Sequence, residues 1–179
     1  QLVKRMHDGE NAAMKEFYTL YIDYLTGVCA RYIDQDDDLK DVLQDGIVKI
    51  ITRIREFNYR GPGSLQAWAT RIVVNQSLSF LKNRQRNGFA SLVADVPDEK
   101  EIDDPPIRDV PAEVIHQMVR ELPEGYRMVF NLFVFENKSH QEIALLLGIK
   151  KDSSASQLHR AKNLLARKIE MYNHSMEPR

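Results

Sequence analysis

The stretch that decides the fold runs from Ser139 to Lys162 and reads SHQEIALLLGIKKDSSASQLHRAK. Ser139 and Glu142 stand at the S-x-x-E spacing of a capping box, which predicts the start of a short helix. Gly148 suits the turn that ends such a helix. A basic, hydroxyl-rich helix follows and starts near Ser153. Two helices joined by a tight glycine turn are typical of a helix-turn-helix, whose second helix enters the major groove of DNA.

The second helix carries candidate DNA contacts on its outer face. The amide of Gln157 can pair with an adenine edge, and the guanidinium of Arg160 with a guanine edge or a phosphate. Serine hydroxyls and the amino end of the helix suit phosphates. The predicted outer set is Ser153, Ala155, Ser156, Gln157, His159, Arg160 and Asn163. Helical hairpins with a glycine turn are also plain packing units, so this stretch alone leaves that alternative open.

Helical periodicity covers most of the chain and predicts an all-α protein. In the first half we expect helices over Asn11–Ile33, from the Asp36–Asp38 run to Phe57, and from a capping Ser64 to about Arg86. In the second half we expect helices over residues 112–122, from Pro123 to about residue 136, over the short capped segment, and from Ser153 onward. Between Gly88 and Pro111 the periodicity stops, and prolines and acids dominate. The prediction is two small helical domains, residues 1–87 and 112–179, joined by a flexible acidic linker over residues 88–111.

Charge and composition narrow the class of protein. The net charge is −1, yet residues 34–45 are acidic whereas residues 66–90 and 150–168 are basic. Alternating charge blocks indicate more than one partner surface, although solvated helix faces would give the same pattern. The single cysteine, Cys29, excludes an internal disulfide and a cysteine-based zinc site. No apolar run reaches the roughly 20 residues of a membrane span, and no leader opens the chain, so we expect a cytoplasmic protein without membrane insertion.

Residue patterns that carry catalysis are missing from the sequence. The five histidines are scattered, and there is no phosphate-cradling glycine loop, nucleophile elbow or H-E-x-x-H pair. The segment RGPG, residues 60–63, predicts a turn and nothing more specific. We therefore expect no enzyme activity, no cofactor and no metal site.

Two motifs in order resemble a known family. LPEGYRMVFNLFVFENKSHQEIALLLGI, followed eight residues later by LHRAKNLLARKI, is similar to the fourth conserved region of bacterial RNA polymerase sigma factors. DLKDVLQDGIVKIITRI, an aromatic-rich loop and SLQAWATRIVVNQSLSFLKNRQR resemble the second conserved region, in the form found in the short extracytoplasmic-function (ECF) class. The resemblance covers nearly the whole chain. It implies core RNA polymerase and promoter DNA as partners.

The resemblance also implies roles for particular residues. The acidic helix would dock on the polymerase clamp through exposed acidic and apolar positions, which are Asp38, Asp41, Val42, Gln44, Asp45 and Ile47. The loop and helix that follow would open the minus-ten element and capture an unstacked base, using Asn58, Tyr59, Arg60, Trp68, Arg71, Asn75, Lys82, Arg84 and Arg86. Two alternatives stay open. The aspartates could act only as a solvated helix start, and a lone tryptophan such as Trp68 is more often a core residue.

The sequence departs from the family pattern at the start of the recognition helix. Where G-T-V-K-S-R is common, this chain has DSSASQ, residues 152–157, and therefore lacks two basic side chains. Gln157 would then favour adenine. The near-neutral net charge fits a sigma factor, because the polymerase supplies most nonspecific phosphate contacts.

Three functions compete at this point. The first is an ECF sigma factor, whose acidic linker would allow a compact inhibited state held by an anti-sigma factor. The second is a stand-alone helix-turn-helix regulator, which would bind duplex DNA by itself as a dimer. The third is a structural helical adapter, which the basic and amide residues on outer helix faces disfavour.

Overall fold

Residues 1–86 and 110–176 are described by a computed structural model, with side chains described through residue 84 in the first range. Every regular element in these ranges is helical, which confirms the predicted all-α class. The elements are α1 Leu2–His7, α2 Asn11–Ala30, α3 Asp36–Arg53, a 3-10 helix Ile54–Glu56, α4 Ser64–Arg86, α5 Ala112–Arg120, α6 Glu124–Val134, α7 His140–Leu147 and α8 Lys151–Met176. The chain divides after Arg84 into two compact units. The linker expected over residues 88–111 lies almost wholly outside the described residues.

The first unit is built on α2, α3 and α4. Its largest fully buried side chains include Phe17, Tyr32, Ile50 and Leu81. Gly46 lets α3 approach α4 closely, since a Cβ placed there would lie 3.2 Å from Cγ2 of Val73. The spacing of Met14, Phe17, Tyr21, Tyr24 and Val28 predicts one apolar stripe along α2. The prediction is wrong at Tyr24, which is 42% exposed. Its hydroxyl instead accepts a hydrogen bond from Thr70 Oγ1 of α4 at 3.3 Å.

The second unit packs α5, α6 and α7 against α8. The helical spacing of four apolar residues predicts the inner face of α8, and the structure confirms it, since all four are buried: Leu158, Ala161, Leu165 and Ile169. The last three belong to a cluster that also contains Met118 of α5, Tyr126 of α6 and Leu122 of the turn between those helices. α8 begins at Lys151, two residues before the expected start. The long helix thus presents its amino-terminal turns to α7 and its middle to α5 and α6.

Besides α8, three helix starts differ from the sequence expectations. Gln35, not an aspartate, is the N-cap of α3, and the Asp36–Asp38 carboxylates lie in the first turn, where they complement the helix dipole. Ser64 is the first residue of α4, and its hydroxyl donates to Gly61 O at 2.7 Å, so it ties down the preceding loop. Pro123 is the N-cap of α6 rather than its first residue, because its ψ of 141° is not helical.

Candidate nucleic-acid interface

The start of α7 is fixed by a complete capping box. Ser139 N donates to Glu142 Oε2 at 2.9 Å, and Glu142 N donates to Ser139 Oγ at 3.3 Å. Lys138 Nζ also donates to Glu142 Oε1, at 3.2 Å. The bonds from the Ser139 backbone and hydroxyl, with that from Lys138, lower the pKa of Glu142 to about 2. Both expectations for this helix are confirmed, since Gly148 ends it in the left-handed conformation at φ 70°.

A polar contact joins α7 to the first turn of α8. Ser154 is fully buried, and its Oγ lies 3.0 Å from Nδ1 of His140. The His140 ring stacks on Phe133 of α6, with 5.0 Å between the ring centroids. Buried Ile143 and Ala144 of α7 provide the apolar part of the same face. The two helices and the glycine turn form the helix-turn-helix that the sequence predicts.

The outer face of α8 displays the predicted recognition residues in two groups. Ala155, Ser156 and His159 are exposed, whereas Ser153, Gln157, Arg160 and Asn163 are half-buried. Several of these side chains are held by neighbours. Ser156 Oγ donates to its own helix at Asp152 O, and Asn163 Nδ2 lies 3.2 Å from His159 Nε2.

Arg160 is tied more closely to the core than the sequence indicates. Its Nη1 donates to the hydroxyl of buried Tyr126 at 3.4 Å. Flanking positive charge comes from Lys150, Lys151 and Lys162, whose side chains are exposed. These lysines are not among the predicted contacts, although their place in the basic block of residues 150–168 could have indicated them.

In the first unit, a cleft of about 320 Å³ lies between the loop after the 3-10 helix and α4. It brings together four of the predicted minus-ten residues, Asn58, Arg60, Trp68 and Arg71. Trp68 is half-buried, and its ring packs on Phe57 with 5.2 Å between centroids and 43° between planes. The cleft thus combines an aromatic wall, an amide and two guanidinium side chains. That combination suits a planar, hydrogen-bonding ring attached to a phosphate chain.

Other predicted minus-ten residues lie near this cleft or away from it. Asn75 and Lys82 are exposed on α4, at four and eleven positions after Arg71, and so share its helix face. Tyr59 is 63% exposed and lines a second cleft of about 560 Å³ together with residues of α1. Arg84 lies elsewhere, since its Nη1 is 3.7 Å from Asp38 Oδ2 and its guanidinium is 6.0 Å from the Phe80 ring centroid. The side chain of Arg86 lies outside the described residues.

The docking surface expected on α3 needs a correction. Val42 and Ile47 are 2% and 8% exposed, so they do not supply the exposed apolar positions expected of them. They lie on the inward stripe that α3 packs against the core. Asp41, Gln44 and Asp45 are exposed, and Asp38 is half-buried.

The outer face of α3 is also joined to α4. Asp45 Oδ2 accepts a hydrogen bond from Gln76 Nε2 at 3.0 Å, and Lys49 Nζ donates to Gln76 Oε1. Val48 is the large apolar side chain that α3 does expose, at 53%. Val48 stands beside the apolar stripe of α3 rather than within it, so the helical spacing does not mark it as a surface contact.

Neither metal chemistry nor a membrane span is visible in the described part of the chain. Within residues 1–86 and 110–176, His, Cys, Asp and Glu form no group of three that could hold a metal ion. None of the helices described has both the length and the apolar character that crossing a membrane requires.

The second unit contains a helix-turn-helix, and the first has an aromatic cleft beside a basic helix face. Together these features define a two-domain DNA-binding transcription protein. Sigma-70 region 2 matches residues 17–87, and Sigma-70 region 4 matches residues 112–165, which together take in well over half of the chain. The chain belongs to the sigma-70 family of RNA polymerase sigma factors, in its ECF group. This is not a family of enzymes.

Individual relatives agree with this assignment. The chain is 25% identical to the RNA polymerase sigma-H factor of Pseudomonas aeruginosa over 95% of this chain and 93% of that protein. It is 24% identical to the ECF RNA polymerase sigma-E factor of Haemophilus influenzae, over 94% of each chain. A co-crystal structure of the sigma factor RpoE with the anti-sigma factor NepR from Bartonella quintana is similar in fold. Its TM-score is 0.52 at 19% identity, over 87% of this chain and 96% of that chain.

Proposed function

We propose that this protein binds core RNA polymerase and directs promoter-specific initiation, with each helical unit contacting one promoter element. The observation that carries the proposal is the ordered pair of family matches, region 2 and then region 4, each of which falls mainly on one of the two compact units. It acts by binding and orientation, without catalysing a reaction and without a cofactor. We place it in the cytoplasm, where the polymerase is.

In the first unit, the cleft between the loop and α4 receives a base of the non-template strand in the minus-ten element. Trp68 offers its ring to the base, and Asn58 offers an amide to the base edge. The exposed line of Arg71, Asn75 and Lys82 then follows the sugar-phosphate chain. Capture of the unstacked base favours the opened duplex, because the base is bound only after it leaves the stack.

In the second unit, the outer face of α8 enters the major groove at the minus-thirty-five element. Gln157 reads an adenine edge, and Arg160 reaches a guanine or a phosphate once its long bond to Tyr126 is exchanged for DNA. Lys150, Lys151 and Lys162 contact the flanking phosphates. With few basic groups on the reading face, the sequence preference differs from that of relatives that carry them.

The acidic helix α3 docks on the polymerase through its outer face. We assign this role to Asp38, Asp41, Gln44 and Asp45, which remain at the surface, with Val48 as an apolar contact. A carboxylate-rich helix binds a basic partner surface, and the docking rate should fall as salt rises. Val42 and Ile47 contribute only by holding the helix in place.

A further partner is an anti-sigma factor. The structure of similar fold from Bartonella quintana contains the sigma factor bound to an anti-sigma factor. We propose that a protein of this class binds the present chain and keeps it from the polymerase until a signal releases it.

Core dependence of DNA binding tests the proposal against a stand-alone regulator. Fluorescence anisotropy on promoter duplexes selected from a random library should show strong, sequence-dependent binding with core polymerase and weak binding without it. A double Asp41→Lys, Gln44→Lys variant should lose core binding, whereas Asp8→Lys, a charge change in the loop after α1, should retain it. Tight binding of the free protein to a repeated half-site, unaffected by core, would instead establish a regulator. The family match makes the sigma factor the favoured outcome.

A further inference from the structure

A buried polar contact at the start of the recognition helix suggests how its angle is set. Ser154 is 0% exposed in the first turn of α8. Across Lys151–Met176, all of which the structure describes, it is the sole buried polar side chain. Its Oγ lies 3.0 Å from Nδ1 of His140, the first residue of α7. The buried side chains of α7, which are Ile143, Ala144 and Leu147, are apolar, as is buried Leu158 of α8.

Apolar packing and a hydrogen bond constrain a helix differently. Dispersion and burial are non-directional, so an apolar interface tolerates small rotations of one helix against the other. A hydrogen bond weakens steeply when its angle or distance changes. His140 is itself held from the other side by its stack on Phe133. A hydrogen bond between a stacked ring and Ser154 therefore adds a directional constraint on the rotation of α8 that its apolar packing alone does not supply.

The rotation matters because the reading side chains stand on the same turn. Ser153, Ser156 and Gln157 lie within three positions of Ser154. With side chains, a helix has a radius of about 5–6 Å, so a rotation of about 20° moves the end of a side chain by about 2 Å. That displacement exceeds what a base-edge hydrogen bond tolerates, since such bonds form at roughly 2.7–3.2 Å.

We propose that the His140 and Ser154 pair sets promoter specificity by positioning the recognition helix against the minus-thirty-five element. Neither residue touches DNA in this account, so both are positioning residues. The inference rests on the proposed function, since it presumes that α8 reads DNA. It goes further because it assigns base discrimination to a contact on the inner side of the helix.

The test separates specificity from stability. Holoenzyme is reconstituted with core polymerase, and transcription is measured on a promoter library randomised at the minus-thirty-five element. Ser154→Ala and His140→Phe should each lower the ratio between the best and the median sequences by about five- to tenfold, in the range of one lost base contact. His140→Phe keeps an aromatic ring against Phe133 and removes both ring nitrogens, including the Nδ1 that contacts Ser154.

The double variant His140→Phe, Ser154→Ala is decisive. Removing both partners leaves no unsatisfied polar group, so thermal stability should return close to that of the unaltered protein. Selectivity should stay low, because the directional contact is still missing. Ile169→Val, a small destabilisation at the far end of α8, provides the matched control and should keep full selectivity.

Two outcomes have separate meanings. Wild-type selectivity in the double variant, or selectivity that follows thermal stability across all four variants, would overturn the positioning role. Failure of the unaltered holoenzyme to initiate on any library member would instead refute the proposed function itself.

Discussion

Trp68 provides the strongest test of base capture, because its ring both packs on Phe57 and lines the cleft beside α4. We predict that Trp68→Ala folds but opens promoters slowly. Stacking of a base on an aromatic ring contributes about 1–3 kcal/mol, which corresponds to about a 5- to 150-fold loss in the opened complex. Trp68→Ala also destabilises the fold, because the aromatic pair with Phe57 contributes about 0.5–1.5 kcal/mol beyond the area it buries. A Trp→Ala change in a core costs about 3–5 kcal/mol, which is an upper limit for this half-buried side chain. A domain with a net stability of about 5–15 kcal/mol survives that loss.

The assay measures opening with 2-aminopurine placed in the non-template strand of the minus-ten element. Holoenzyme carrying Trp68→Ala should show a slower and smaller fluorescence rise, whereas Trp68→Phe should keep most of the signal. Leu78→Ala, a buried change on α4 away from the cleft, reports the effect of lost stability alone.

An abasic scan of the non-template strand makes the test specific. At the position whose base enters the cleft, removal of the base should make the unaltered protein and Trp68→Ala open the promoter equally slowly. With the base absent, neither protein gains a stacking contact at residue 68. If the difference between the two proteins persists at every abasic position, or if Leu78→Ala slows opening equally, Trp68 is a core residue and base capture by this cleft is refuted.

Three further predictions concern the fold. The folded pKa of Glu142 is about 2, below its ordinary 4.5, so its contribution to stability is present above pH 4.5 and lost as the pH falls toward 2; Glu142→Gln should remove this part of the pH dependence in urea titrations. Gly148→Ala should lower the free energy of unfolding by about 1–2 kcal/mol in chemical denaturation, because the φ of Gly148 is 70°. Gly27→Ala, inside α2 with open space around it, should instead raise the free energy of unfolding by about 0.5–1 kcal/mol. Equal effects of the two changes would show that the turn does not require glycine. Burial raises the pKa of the Cys29 thiol and shields it from reagents. Iodoacetamide should therefore modify the native protein roughly a hundredfold more slowly than the urea-unfolded chain. Fast labelling of the native protein would contradict the packed core.

The helix-turn-helix could be predicted in detail because its signals are local. The capping box, the left-handed glycine and the inner face of α8 each depend on residues a few positions apart. The predicted start of α8, near Ser153, lies two residues after the observed start at Lys151, because Lys151 and Asp152 carry no apolar side chain that would mark the first turn. Helix α1 was missed because six residues are too few to show a helical period.

For helix α3, the apolar spacing and the family resemblance predict different positions for the same side chain. The helical spacing of Leu43, Ile47 and Ile50 predicts that Ile47 faces inward, whereas the family resemblance implies that it lies on the polymerase-binding surface. The structure agrees with the stripe. Val42 is buried too, because α3 packs closely on α4 near Gly46 and so covers a broader face than one apolar row.

Contacts between distant segments could not be predicted from the sequence. The pairing of Arg84 with Asp38 joins residues 46 positions apart. The contact of Arg160 with Tyr126 and the cleft around Trp68 likewise depend on how helices pack. Periodicity gives the face of a helix on which a residue lies, whereas the neighbour across the interface depends on the tertiary fold.

Specific initiation by the reconstituted holoenzyme tests the central claim most directly. Purified chain and core polymerase are mixed with a library of duplex promoter fragments, and the transcript ends are sequenced. The account predicts that transcripts start at a fixed distance downstream of two short sequence elements, and that core alone yields none of them. If the chain leaves the start sites of core polymerase unchanged, it is not acting as a sigma factor.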